Sequence, residues 1–260
     1  ALQPPKKAAT AGRHRQAIVP PPSLYNEKQI DPNLIAFSKP ESFEAEQFRM
    51  LRTNILFPKN GKPSRSIMIA SASPSEGKSF VAANLAISIA QNIDKYVLLI
   101  DCDMRSPSAH KLFGYESVAG LSDYLIQGQP LPTLIQKTFI ERLSILPGGA
   151  EPPNPAELLT SRRMTDLLKE VKQRYSDRFI IIDTPPIQLT AEAQAIAKFA
   201  DGILLVVRFG RANKAVVAKI AQNIGKDKIL GVVGNFADRG SLYKNYAGKY
   251  SGYYGNYPKK

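Results

Sequence analysis

Three short runs hold the residues best able to do chemistry. Residues 71–79 read SASPSEGKS, residues 97–105 read VLLIDCDMR and residues 179–186 read FIIIDTPP. The first matches G-x-x-x-x-G-K-[ST] at Gly77, Lys78 and Ser79, with Ala72 in place of the first glycine. A loop of this kind between a strand and a helix binds phosphate, because its N–H groups and the helix N-terminus point at one anion. Ser75, Glu76, Gly77, Lys78, Ser79 and Phe80 are therefore candidate nucleotide contacts. Lys78 would reach the β- and γ-phosphates, and the Ser79 hydroxyl would ligate Mg2+. Alanine serves at position 72 if its backbone stays out of the left-handed region, whereas Gly77 permits close approach to the phosphates.

The other two runs each end an apolar stretch in an acid, Asp101 and Asp183, and Asp103 follows two residues after Asp101. Carboxylates at the C-terminal ends of parallel strands lie where open α/β sheets bind ligands, and Mg2+ beside phosphates takes one or two such oxygens. Lys78, Asp101, Asp103 and Asp183 are the candidate catalytic set, with Ser79, Asp103 and Asp183 the candidate metal ligands. Arg105 either neutralises the acids, touches phosphate or is a surface charge. If a tyrosine hydroxyl is the acceptor, its pKa of about 10 lies roughly 6 units above an ordinary aspartate, so its proton leaves late. Asp101 is the expected proton acceptor, with roles exchangeable between it and Asp103. His14 and His110 are isolated and offer no metal site.

These runs need a scaffold. Apolar runs at 66–70, 96–100, 143–147, 179–182, 203–207 and 229–233 alternate with segments of helical composition. That alternation predicts an α/β P-loop NTPase fold, a mostly parallel sheet flanked by helices on both faces. A helix is also expected over 41–57. Asn235, at the end of the last apolar run, suits a turn.

Composition sets the ends apart. Residues 1–40 are proline-rich and basic and read as a disordered linker, 41–238 as the P-loop domain, and 239–260 as a tyrosine-rich tail. Residues 1–16 and 239–260 carry nine of the net +13 charges and no acid, so the body is only mildly basic. Six of eleven tyrosines lie in the tail: Tyr243, Tyr246, Tyr250, Tyr253, Tyr254 and Tyr257. With almost no aliphatic residues, the tail is expected to be mobile; an aromatic, basic tail could also stack on nucleic acid. One cysteine, Cys102, excludes an internal disulfide framework, and no apolar run reaches the roughly 18 to 20 residues that cross a bilayer.

Together the motifs resemble the cytoplasmic kinase domain of bacterial tyrosine kinases, the BY-kinases of capsule and exopolysaccharide production. The likeness runs from about Ser42 to the C-terminus. It rests on SASPSEGKS as Walker A, LLIDCDMR as the family's A′ motif, IIIDTPP as Walker B, and Glu46, Arg49 and Arg52 in E-x-x-R-x-x-R spacing. The stretches SPSAHKLFG and LPGGAEPPNPAELL and the tyrosine cluster add to it. The resemblance implies an ATP- and Mg2+-dependent kinase that phosphorylates its own tail tyrosines, between subunits. For Asn235 it implies a contact with adenine, on equal terms with the turn. It also implies a ring-forming homo-oligomer joined through Glu46, Arg49 and Arg52, and a transmembrane polysaccharide co-polymerase activator, fused or separate. A protein tyrosine phosphatase is the implied antagonist, no nucleic acid partner is expected, and the location is the cytoplasmic face of the bacterial inner membrane. The competing class is the deviant P-loop ATPases that partition DNA or position division sites. Those carry a second lysine near the position of Ser73, which this loop lacks.

Overall fold

The computed structural model describes residues 30–237, apart from Asn60, Lys62, Ile93, Tyr175, Ser176, Leu189 and the side chain of Arg174. Residues 1–29 and 238–260, including the six tail tyrosines and most of the expected linker, lie outside the described residues.

The chain begins with α1 (Ile35–Ser38) and α2 (Phe43–Leu56), then β1 (Ser66–Ser71), α3 (Lys78–Ala90) and β2 (Tyr96–Asp101). Short elements follow: α4 (Ala109–Leu112), α5 (Leu121–Gln127), α6 (Leu131–Leu134), β3 (Gln136–Lys137) and β4 (Leu143–Leu146). The second half runs α7 (Pro155–Thr160), α8 (Arg162–Arg174), β5 (Arg178–Asp183), α9 (Ala191–Ala197), β6 (Gly202–Arg208), α10 (Lys214–Ile224) and β7 (Ile229–Asn235).

The seven strands form one sheet in the order β3-β4-β2-β5-β1-β6-β7, parallel except for β3. All six apolar runs are strands. The seventh, β3, is a two-residue antiparallel edge, too short to leave a period in the sequence. Buried on both faces, β1 alternates: Met68 and Ala70 join one core with residues of α7, α8 and α9, while Ile67 and Ile69 join a second with α1, α2 and α3. This two-sided burial is why the strands read as continuous apolar runs. From β1 the chain crosses by α3 to β2, and from β5 by α9 to β6, so connections leave in opposite directions across the β5-β1 pair. At such a switch point the C-terminal strand ends leave a crevice.

Helix α2 starts two residues later than expected, where the Ser42 hydroxyl accepts from the N–H of Ala45 at 3.1 Å. Residues 30–38 read as linker by composition, yet they pack on the body. Leu34 is fully buried, and the buried Asn84 of α3 accepts from Ala36 N at 2.9 Å and donates to Asn33 O at 3.0 Å. Those partners come from a helix some fifty positions away, which local composition does not register.

Candidate active site

The phosphate loop leaves β1 at Ser71 and enters α3 at Lys78. Gly77 caps α3 in the left-handed region, at φ +86°. The backbone therefore favours glycine, and a Cβ there would also lie 2.0 Å from Asn235 Nδ2 and push that side chain aside. Asn235 donates to Glu76 O at 3.0 Å, tying the end of β7 to the loop. Glu76, a candidate nucleotide contact, turns its carboxylate inward instead. Its Oε2 accepts from Ser73 N at 2.9 Å and its Oε1 from Arg208 N at 3.4 Å. The loop is thus braced by β6 and β7 before any ligand arrives, which is the preorganisation a phosphate cradle needs.

Beside it opens a cleft of about 510 Å³, lined by Ser75, Gly77, Lys78, Ser79, Phe80, Asp103 and Arg105, with Pro185, Pro186 and Thr190 opposite. Asp101 and Asp183 do not line it. They are register partners at the ends of β2 and β5, both fully buried. Asp101 Oδ1 accepts from Asp103 N at 3.1 Å, and Oδ2 accepts from Ser108 N and Ala109 N, each at 3.0 Å. Burial pushes its carboxyl up to about 6, against the pull of these three amides. Asp183 is pushed up to about 8, first by burial and then by Asp101, with the Ser79 hydroxyl and Lys78 pulling it down. No hydrogen bond of normal geometry reaches either Asp183 oxygen. Asp103 is also raised, chiefly by burial, with Lys78 and Arg105 opposing.

Two buried carboxylate oxygens without a donor, beside a lysine and a serine hydroxyl, suit a hard dication with oxygen ligands. Among the described residues no three His, Cys, Asp or Glu side chains converge into a cage. That agrees with a cation that completes its shell from phosphate oxygens and water.

Arg105 binds Glu192 Oε1 of α9 through Nη2 at 3.0 Å while lining the cleft. Glu192, 1% exposed, escaped the sequence reading because an acid in a first helical turn reads as surface. Phe236 escaped too. It takes φ +60°, and the Arg208 guanidinium lies 4.6 Å from its ring centroid. Glu46, Arg49 and Arg52 share α2 but not one fate. Arg49 Nε pairs with Glu46 at 2.6 Å and its Nη1 reaches Pro40 O at 2.7 Å, whereas Arg52 donates to Ser88 O of α3 at 2.8 Å. Among the described residues no helix is long and apolar enough to cross a membrane.

Loop, strand-end acids and sheet order define a nucleotide-binding P-loop NTPase, and likeness to known proteins refines that class. The profile of a family described as an AAA domain matches residues 64–228. The tyrosine-protein kinase YwqD of Bacillus subtilis (strain 168) is 40% identical over 225 residues, covering 86% of this chain and 91% of the relative. The crystal structure of the chimerical protein CapA2B2 matches with TM-score 0.71 at 37% identity, over 81% of this chain and 92% of that one. The kinase domain of the Escherichia coli tyrosine kinase ETK matches with TM-score 0.70 at 33% identity, over 79% and 82%. The septum site-determining protein MinD of Pyrococcus horikoshii OT3, complexed with Mg-ADP, follows at 0.56 and 25%, over 65% and 69%. The chain belongs to the bacterial tyrosine-protein kinase family, and it is an enzyme of the protein-tyrosine kinase class rather than a MinD-type switch.

Proposed function

We propose that the chain transfers the γ-phosphoryl group of ATP to its own Tyr243, Tyr246, Tyr250, Tyr253, Tyr254 and Tyr257, between subunits of a ring. The observation that carries the reading is Asp183, with two buried, donorless oxygens within the influence of Lys78 and Ser79 at the phosphate loop. Mg2+, held by Ser79 and Asp183 with Asp103 directly or through water, would neutralise charge on the phosphate oxygens. The loop amides and Lys78 hold the transferring group, and Arg105, fixed by Glu192, faces it from the cleft wall. A tail tyrosine attacks in line: the phenolic O–P bond forms, the bond to the bridging oxygen breaks, and ADP leaves. The phenolic proton passes late to Asp101. At about 6 that carboxyl lies roughly 4 units below tyrosine rather than 6. Its Oδ1 accepts a single amide and keeps a lone pair. Asp103, which lines the cleft itself, is the residue with which that role exchanges. Asn235, its amide already donated to the loop, contacts adenine through its neighbourhood of Phe236 and Arg208.

Ring contact falls to the Glu46–Arg49 pair, whose side chains remain 41% and 33% exposed, while Arg52 anchors α2 to α3. The likeness to the family supports regulation of exopolysaccharide or capsule synthesis at the cytoplasmic face of the inner membrane. It likewise supports activation by a transmembrane co-polymerase segment and reversal by a tyrosine phosphatase. The test is incubation with Mg-ATP and mapping of phosphate by mass spectrometry, with Lys78→Ala as control. Phosphotyrosine confined to 243–257 and missing from the control is expected. Free phosphate with an unmodified tail, even with the activating segment supplied, would overturn the reading.

A further inference from the structure

A second groove, on the face of the sheet away from α3, lies between α9 and α10. Its volume of about 570 Å³ falls within the roughly 300–1,000 Å³ range of ligand sites. The floor is apolar, with Ile187 3% and Ile220 5% exposed. The rim carries Lys198, Lys219 and Lys228, and no acid lines the groove. Lys228 serves the fold, since its ammonium donates to the carbonyls of Ala197, Lys198 and Ala200 at 3.0, 3.1 and 3.4 Å and so closes the end of α9. Lys198 and Lys219 are exposed, and no ion pair among the described residues engages either.

An apolar floor under a cationic rim suits an aromatic ring that carries a phosphate. The ring is removed from water against isoleucine, while the dianion meets two ammonium groups in charge-assisted hydrogen bonds. We propose that this groove binds the chain's own tail once the tail carries phosphotyrosine. Two observations select that occupant. The first is reach: a short turn at Lys226–Lys228 joins α10 to β7, the edge strand of the sheet, so the chain beyond Asn235 leaves from that edge. Even Tyr243 lies eight residues past Asn235, about 26 Å of extended chain, against about 16 Å for the whole of α10. The second is charge. Unmodified, residues 239–260 carry five cations and no acid and are repelled by the rim. Each phosphate adds about −1.5 to −2 and reverses that sign. Docking is therefore conditional on modification, and it holds a phosphorylated tail on a helical face instead of at the strand ends where the nucleotide cleft opens. The product is drawn away from the site that made it.

The proposal rests on the kinase reading for its physiological setting, and its test is separable from that reading. A synthetic peptide of residues 239–260, phosphorylated at Tyr250, Tyr253 and Tyr254, is titrated against the full chain by fluorescence anisotropy. The chain is first treated with phosphatase and saturated with Mg-ADP. The phosphopeptide is expected to bind at least about tenfold tighter than its unmodified counterpart, and Lys198→Ala with Lys219→Ala to weaken it by about tenfold or more. Lys39→Ala with Lys137→Ala, equal in net charge and remote from the groove, should leave affinity within about twofold. Equal affinity for the groove variant and the unaltered chain overturns the proposal, and so does an equal loss in the remote pair. Because the peptide is phosphorylated synthetically, a chain that fails to modify itself would sink the kinase reading while leaving the groove's affinity measurable.

Discussion

The ends of β2 and β5 are alike in sequence and opposite in finish. Each closes an apolar run with an aspartate, each aspartate is fully buried, and the two are register partners. Asp101 is enclosed by three amides from the segment that follows it, and Asp183 has none. A buried carboxylate held by amides organises its own loop, whereas one without donors is completed from outside. The first fixes the segment that follows β2; the second keeps two oxygens free of protein donors.

The sharpest way to break this contrast is to neutralise each acid. Asp183→Asn should lower phosphorylation of the tail by about 10²–10³, the scale of losing one preorganised electrostatic contact. In nucleotide-free protein its melting temperature should not fall, because no hydrogen bond donated to this side chain is lost. Asp101→Asn should do the reverse in stability. Its amide nitrogen must face at least one N–H it cannot accept, costing about 2 kcal/mol, or roughly 4–8 °C in a domain of this size. Calorimetry of both variants without nucleotide checks the pair; a larger fall for Asp183→Asn would erase the distinction.

A pH series sharpens it further. Asp183 is held at about 8 when folded, against about 3.9 unfolded, so between those values the native state binds the extra proton. Stability from this group is full below about pH 4 and is lost as pH rises towards 8, with a slope of at most about −1.4 kcal/mol per pH unit. Asp101, raised only to about 6, contributes with the same sign over the lower part of that window. Denaturant unfolding from pH 5 to 8 without nucleotide should show a falling stability that Asp183→Asn flattens. Saturating Mg-nucleotide, which favours the ionised form, should remove the fall.

Much of this is legible in the sequence, for a physical reason. Strands buried on both faces must be continuously apolar, so the runs of β1, β2, β4, β5 and β6 mark strands, while the run of β7 is apolar although Leu230 and Val232 on this edge strand are exposed. The phosphate loop's glycine and lysine are demanded by backbone geometry and charge. The difference between Asp101 and Asp183 is not legible, because it depends on where Ser108 and Ala109 turn their N–H groups. Nor is the inward turn of Glu76, whose partners lie on its own loop and on β6. The pairing of Glu192 with Arg105 spans 87 positions and leaves no local pattern.

Cys102 gives the smallest and most discriminating readout, since it lies between the two strand ends. Its N–H donates to Asp183 O at 2.8 Å, and its side chain is fully buried. Burial pushes the thiol up, and Asp101, Asp183 and Asp103 push it further, so the folded protein offers almost no thiolate at neutral pH. Alkylation then reports how often this segment opens. Asp101→Asn loosens the three amides beside the cysteine, and a cost of about 2 kcal/mol corresponds to roughly 30-fold faster labelling if opening is local. Asp183→Asn removes no hydrogen bond donated to its side chain and keeps the backbone carbonyl that Cys102 uses, so its labelling rate should stay within about twofold of the unaltered chain. Labelling accelerated equally in both variants would mean that the two strand ends open as one unit, and that the donorless state of Asp183 is not what sets it apart.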